Sequence, residues 1–370
     1  MTKTHTYLFV GCCNRPTPYF KSSNGKGIAT YRFDEVTGQA EFVSLVEDID
    51  NPTFLAVDPE RGKLYANSEM LAWNEGAVSA YDVDATTGLL SRINTQPTLG
   101  NTPAHISLDA SGRFLLVANY GLNSLEQQPN QSVAVLPIRR DGGLDPAVAS
   151  AAHLGKSGPQ ADRQDRPHAH AVRTTLDNRF LIASDLGLDQ LVVYSFDAAS
   201  GAIKLLDTTS LPPGSGPRHF VFGPEGDVIH VVNELSSTVA TLNFDVLGGH
   251  LALLQMVSTV PIEARSHNHC SEIRVGPDGH SLYVANRGDD SIALFRRNSA
   301  GELSFVRRVP SGGETPRHLA FDPSGRFMAV ANQDSDQICI FETAPQTGEL
   351  TPIDADIPIG TPTNVVFCRL

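Results

Sequence analysis

Apolar positions along this chain alternate with polar ones in short runs, and turns rich in Gly, Asp and Asn separate the runs. A period of two over so few residues predicts half-buried β-strands rather than helices. The stretch from Gly216 to Asp245, GPRHFVFGPEGDVIHVVNELSSTVATLNFD, sets the grammar. A Pro opens an inner strand and a Pro/Asp-Gly turn follows. A second strand then ends in Asn and a variable residue, and a third strand comes after it. PRHLAFDPSGRFMAVANQDSDQICIFE (316–342) is nearly a copy, as are SEIRVGPDGHSLYVANRGDDSIALFRR (271–297) and PAHISLDASGRFLLVANY (103–120). Looser versions run over 52–69 and 170–197.

Second-strand ends fall near Cys13, Glu69, Tyr120, Leu186, Glu234, Arg287 and Gln333, which makes seven copies spaced by 46 to 66 residues. Each is followed by a third strand, then by a Gly-hydrophobic turn that leads to a fourth. No convincing helix interrupts them. Four antiparallel strands repeated seven times predict an all-β fold, a seven-bladed β-propeller. At 370 residues length alone suggests two or three domains. A unit of this size cannot bury its own apolar faces, however, so the repeat predicts one domain over 1–370. The chain opens on a second strand, Tyr7–Cys13, and closes on a first strand within 361–370. The C-terminal strand is therefore expected to join the N-terminal blade and close the ring.

That geometry says where chemistry would sit. In an antiparallel hairpin the start of the first strand lies beside the end of the second. One face of the ring, around its axis, therefore collects both. The first-strand rim position reads Thr53, Ala104, His170, Arg218, Ser271, Arg317 and Thr363. The next position reads Phe54, His105, Ala171, His219, Glu272, His318 and Asn364. His105, His219 and His318 recur at one register, which reads as architecture. The set that does not repeat is His170, Arg218, Glu234 and Arg287. Paired guanidinium groups hold carboxylate or phosphate through forked hydrogen bonds, and a His near a Glu supplies acid–base groups. His168, Glu69, Tyr120, Asp185, His219, Glu272, Arg317 and Gln333 are candidate substrate contacts around them. The loop 153–167 is placed to overhang the same face.

Charge narrows the partners. A net charge of −13 disfavours nucleic acid or an anionic membrane surface as principal partner, while leaving a small anionic molecule open to a local Arg cluster. The N-terminus lacks a secretory pattern and no run is long enough to span a bilayer. Five Cys without framework spacing suggest reduced thiols in a cytoplasm. The adjacent Cys12 and Cys13 read as structural, as do HAH (168–170) and HNHC (267–270), which lack metal-ligand spacing. Neither metal nor cofactor is expected, and the protein is expected as a monomer or weak homodimer. Trp73, the only Trp, could floor a pocket.

PHAHAV (167–172), SDLGLDQLVVYSFD (184–197), GPRHFVF (216–222), VVNEL (231–235), SEIRVGPDGHSLYVANRG (271–288) and PRHLAFDPSGRFMAVANQDSD (316–336) together resemble the seven-bladed propeller lactonase family. That family holds bacterial 6-phosphogluconolactonases and a fungal carboxy-cis,cis-muconate cyclising enzyme. The resemblance implies active-site residues at His170 in PHAH, Arg218 in GPRH, Glu234 in VNEL and Arg287 in ANRG. It also implies metal-independent hydrolysis of a sugar-acid lactone, most simply 6-phosphogluconolactone, or lactone closure of a muconate. Either His170 or Glu234 would then be the base. A non-catalytic binding propeller remains a rival, although it would favour an apolar rim over paired Arg with Glu. A cofactor-bearing redox propeller is a third reading.

Overall fold

The computed structural model describes residues 4–122, 128–155 and 158–370, and its strands form seven antiparallel sheets. Six sheets follow chain order. Blade 2 begins at Leu55–Asp58, blade 3 at Pro103–Leu108, blade 4 at Ala169–Thr174, blade 5 at Pro217–Phe222, blade 6 at His269–Val275 and blade 7 at Pro316–Phe321. The remaining sheet, blade 1, combines the two ends of the chain. Pro362–Arg369 is its innermost strand, followed by Thr6–Cys12, Ile28–Phe33 and Ala40–Val46. Thr6 pairs with Arg369 and Val10 with Val365, and mutual backbone bonds between His5 and Leu370 of 2.8 and 2.9 Å finish the seam. The expected propeller and its mode of closure are both present. Blade 7 adds a two-residue strand, Ile357–Pro358, to its four.

The repeated residues each have a mechanical job. Asp109 and Asp322 accept backbone N–H groups across their turns, with Oδ1 of each 2.7 Å from the amide of Phe114 and Phe327. The turn carboxylates thus fix hairpin register. The strand-ending Asn residues are buried ties. Asn67 Oδ1 accepts the amide of Phe54 at 2.7 Å, and Asn332 Nδ2 donates to the Ser311 carbonyl at 2.9 Å. With Asn holding the strand end, the residue after it is free to vary.

Alternate side chains of each strand point to opposite sheet faces, so both faces of every blade are apolar and pack on the neighbouring blades. Seven apolar clusters result, one at each blade–blade contact. Across the closing seam, Phe33 meets Phe327 and Phe367 edge to face at 5.8 and 4.9 Å. Such pairs add roughly 0.5–1.5 kcal/mol beyond area burial. Among the described residues the helices are two single 3₁₀ turns, Ile262–Ala264 and Gln333–Ser335, and no helix is long and apolar enough to cross a membrane.

Candidate active site

The inner strands do not run in perfect register. In blades 3 to 7 pairing slips just after the strand opens: between Pro103 and His105, Ala169 and Ala171, Pro217 and Phe220, Cys270 and Ile273, and Pro316 and His318. The skipped residues include Ala104, His170, Arg218 and Arg317. A bulge bends its strand and re-aims a side chain. Here it turns those four outward onto a cleft of about 700 Å³ at the axis. Glu69, Tyr120, Glu234 and Arg287, at second-strand ends, complete the strand-borne wall. Loops supply most of the rest: Pro18, Tyr19 and Phe20 on one side, and Ala161, Asp162, Arg163, Asp165 and Arg166 on the other.

Glu234 is the centre of this site. Its Oε2 lies 2.8 Å from Arg287 Nη2 and 3.0 Å from Arg218 Nε, and its Oε1 lies 2.5 Å from Arg163 Nη2. The Arg218 contact is an ion pair out of line with the N–H, since Nε is buried without a hydrogen bond. Burial alone would raise the Glu234 pKa, yet Arg287, Arg163 and Arg218 hold it well below the ordinary carboxylate range. Arg287 is oriented further by the carbonyls of His269 and Cys270, at 3.2 and 3.1 Å, and Arg218 Nη1 donates to the Ser271 carbonyl. Two guanidinium groups are therefore fixed from both ends. This is pre-organisation of the kind that stabilises developing negative charge.

His170 stands beside them. Burial first, then the Arg218 charge, pushes its pKa well below the usual imidazole value, so the ring is neutral at pH 7. Its Nδ1 is sealed and unbonded, which leaves Nε2 open to the cleft. Tyr120 packs edge-on to His170 at 5.4 Å and stacks on His168 at 4.2 Å. His168 Nδ1 donates to the Tyr120 carbonyl at 2.8 Å. On the opposite wall, Tyr19 and Thr53 hydroxyls donate to the two oxygens of Glu69, at 3.1 and 2.5 Å. Arg317 lies over the Phe20 ring, 4.5 Å from its centroid.

The strand positions read from the sequence divide in two. His170, Arg218, Glu234, Arg287, His168, Glu69, Tyr120 and Arg317 meet at the cleft. Asp185, His219, Glu272 and Gln333 do not, and the expectation that these four face a ligand is corrected by their placement. Asp185 is fully buried behind the wall, with Oδ2 2.6 Å from His153 Nδ1 and Oδ1 accepting the His168 amide at 2.8 Å. Gln333 turns to Asp334 Oδ1 at 2.8 Å. His219 and Glu272 lie below the cleft in a sealed tier that plugs the axis. There Glu272 Oε2 is 3.0 Å from His219 Nδ1 and 3.1 Å from His318 Nε2. His105, His219 and His318 pack around Phe54 at 4.4, 5.6 and 5.5 Å. The repeated His register is indeed architecture, and the bulge explains why. It sends one residue up to the cleft and the next into the axis.

Sequence reasoning placed a loop over this face but named no residue on it. Its segment 158–167 is a strap. Gln164 Nε2 donates to Asp189 Oδ1 at 2.8 Å and to the Leu186 carbonyl at 3.0 Å. A Cβ on Gly187 would sit 1.8 Å from the Arg166 carbonyl oxygen, so only Gly lets the strap lie this close. Pinned in this way, the strap delivers Arg163 to Glu234. His269 and the segment Pro18–Phe20 also line the cleft unforeseen, whereas Trp73 does not. The polar segment 121–131, after Tyr120, also reads as a loop in the sequence, and its residues 123–127 lie outside the described part.

The five cysteines are free and buried. Burial, then Glu69, pushes the Cys13 thiol up to about 12, which makes it a poor nucleophile. Among the described residues no three His, Cys, Asp or Glu side chains are grouped to hold a metal ion.

Comparison with known proteins agrees with this architecture. A relative from Bacillus subtilis named 6-phosphogluconolactonase is 34% identical over 349 residues, spanning 94% of this chain and 96% of its own. A relative of the same name from Formosa agariphila is 34% identical over 358 residues, 95% and 96% of the two chains. The solved structure of a periplasmic gluconolactonase from Pseudomonas aeruginosa superposes with a TM-score of 0.87 at 32% identity, covering 99% of both chains. The profile of the family described as "Lactonase, 7-bladed beta-propeller" matches residues 7–367. With its ring closed on its own two ends and its rim residues gathered over the axis, the chain belongs to the seven-bladed β-propeller lactonase family.

Proposed function

We propose that this protein hydrolyses 6-phosphogluconolactone to 6-phosphogluconate. The observation that carries the reading is the juxtaposition of a neutral His170 with two guanidinium groups held by Glu234 at 2.8 and 3.0 Å. Water needs a base to attack a lactone carbonyl, and the resulting oxyanion needs fixed positive charge. His170 is the better base of the two candidates, because both Glu234 oxygens are already occupied by Arg side chains. In this reading water attacks the carbonyl carbon while its proton passes to His170 Nε2. Arg218 and Arg287 stabilise the tetrahedral oxyanion. The ring C–O bond then breaks and His170 returns the proton to the departing alkoxide. Glu234 acts through the two guanidinium groups as a positioning residue.

The phosphorylated substrate is favoured by the surplus of arginine in the cleft and by the names of the Bacillus and Formosa relatives. A phosphorylated lactone crosses no bilayer unaided, so we place the protein in the cytoplasm, which fractionation of cells checks. The decisive assay supplies purified protein with 6-phosphogluconolactone and, separately, with carboxymuconate. Hydrolysis of the first well above its spontaneous rate is expected. Turnover of carboxymuconate alone would move the protein to the cyclising branch, and turnover of neither would remove both readings.

A further inference from the structure

Every other cation in the cleft has a carboxylate within ion-pair distance. Arg163, Arg218 and Arg287 share Glu234, and Arg166 takes Asp165 at 2.7 Å. Arg317 does not. Among the described residues its guanidinium makes no hydrogen bond or ion pair, and only the Phe20 ring touches it as a partner, at 4.5 Å. Glu69, which lines the same cleft, takes the Tyr19 and Thr53 hydroxyls, one on each oxygen, and makes no ion pair with Arg317. Five N–H donors in a planar fork are thus left open toward the cleft. The bulge between Pro316 and His318 sets where the side chain leaves the strand, and the aromatic face below it limits how the plane can rotate. An unpaired guanidinium aimed and pre-ordered in this way is built for a ligand's anion, and phosphate geometry matches the fork.

Position adds a second argument. His170 stands on blade 4, Arg218 and Glu234 on blade 5, Arg287 on blade 6 and Arg317 on blade 7. The reacting groups and the free guanidinium therefore follow one another around the rim. In a sugar-acid lactone the terminal phosphorylated carbon branches near the ring oxygen, across it from the carbonyl carbon. The phosphoryl group therefore stands on a short flexible arm beside the reacting ester and can reach the next guanidinium around the rim. We infer that Arg317, oriented by Phe20, is the subsite for a dianionic phosphoryl group on the substrate's terminal carbon, and so sets the preference for phosphorylated over unphosphorylated lactones. This rests on the lactonase reading above and adds the group that selects within it.

The test compares 6-phosphogluconolactone with gluconolactone in the wild type, Arg317→Gln, Arg317→Lys and Phe20→Leu proteins. Wild type is expected to favour the phosphorylated substrate in kcat/KM. Arg317→Gln should lower that ratio by 10-fold or more, chiefly through KM, with Arg317→Lys and Phe20→Leu between the two. A ratio changed by less than 10-fold in Arg317→Gln overturns the inference. Inorganic phosphate, titrated by calorimetry, gives a readout that needs no turnover. Binding to wild type weakened 10-fold or more in Arg317→Gln supports the subsite even if neither lactone is hydrolysed, a result that would sink the lactonase reading alone. Absence of phosphate binding to the wild type would count against the subsite. Should Arg317→Gln fail to fold, the same two measurements on Arg317→Lys decide, since a point charge replaces the fork there and at least a 3-fold loss is expected.

Discussion

Two tiers of the hub are made from nearly the same side chains and do opposite things. The upper tier gathers His170, Glu234 and several arginines around an open cleft. The lower gathers His105, His219, His318, Glu272 and Arg274 around Phe54 and is closed. In the lower tier one carboxylate is shared between two imidazoles and a guanidinium, with contacts of 3.0, 3.1 and 3.5 Å. Burial leads the causes that keep all three imidazoles neutral. In the upper tier one carboxylate faces three guanidinium groups, and a fourth stands unpaired. Residue type does not separate the tiers. Access does, and it follows from which residue a bulge lifts out of the strand.

The largest effect expected from breaking the upper tier follows Glu234→Gln. A neutral amide cannot hold Arg218 and Arg287 against each other, and the loss of one oxyanion donor alone typically lowers kcat by 10²–10³-fold. With two donors misplaced together, kcat/KM should fall by about 10⁴-fold, equivalent to about 5.5 kcal/mol of transition-state stabilisation. Steady-state kinetics on folded variant checks it. A loss under about 30-fold would mean that the guanidinium groups are placed without Glu234.

The lower tier answers to pH rather than to substrate. Burial leads the causes that hold the pKa values of His105, His219 and His318 well below 6.5 in the folded protein. Below about pH 6.5 the unfolded chain therefore takes up protons that the folded chain does not, and stability falls as pH falls. Each imidazole contributes up to about 1.4 kcal/mol per pH unit, so three give about 4. His170 and His230 act with the same sign. Urea unfolding at pH 7.5 and 5.5 measures the slope, and a value below that of one imidazole would contradict the sealed tier. Activity should behave differently over the same range. With His170 held neutral, kcat/KM stays level from pH 7.5 down to 6 while stability is already declining.

Smaller still is Glu272→Gln, which removes the shared carboxylate but keeps its shape. Breaking a buried pair costs about 3–5 kcal/mol, and the lower figure is expected here because the imidazole partners are neutral. Thermal or urea unfolding registers it. Because Glu272 does not line the cleft, kcat/KM should change less than about 3-fold. A large kinetic effect with normal stability would erase the distinction between the tiers.

How much of this was legible in the sequence follows the same line. Blade number, strand order and ring closure are written in the repeat, because turn Asp, strand-ending Asn and alternating apolar residues recur wherever the same hairpin must form. His170, Arg218, Glu234 and Arg287 could be picked out as departures from that repeat at fixed positions. His219, Glu272 and Asp185 could not be sorted from them. Rim and axis residues are neighbours in sequence, and strict alternation does not show which residue a bulge skips. Asp185 belongs to a tie with His153, 32 residues away, that no local pattern announces. Arg163 and Phe20 lie in loops without any repeat to be measured against.

Arg163 is also where the smallest effect is expected, and it refines the upper tier rather than breaking it. Its contact with Glu234 Oε1 is short at 2.5 Å, but the Arg side chain is 30% exposed while Arg218 is 3% exposed. Water and ions screen a partly exposed pair, so it is worth far less than its buried counterpart. The strap that carries it is held independently by Gln164 and Gly187, so losing the charge should not displace the loop. Glu234 would keep Arg218 and Arg287 on Oε2. Arg163→Gln is therefore expected to lower kcat/KM by about 10-fold or less, about 1.4 kcal/mol, with a dependence on salt weaker than in the wild type. The comparison to make is with Arg287→Gln in the same assay, whose loss should be at least ten times larger. Equal losses would show that the strap is as much a part of the reacting centre as the blades, and that the third guanidinium on Glu234 is no accessory.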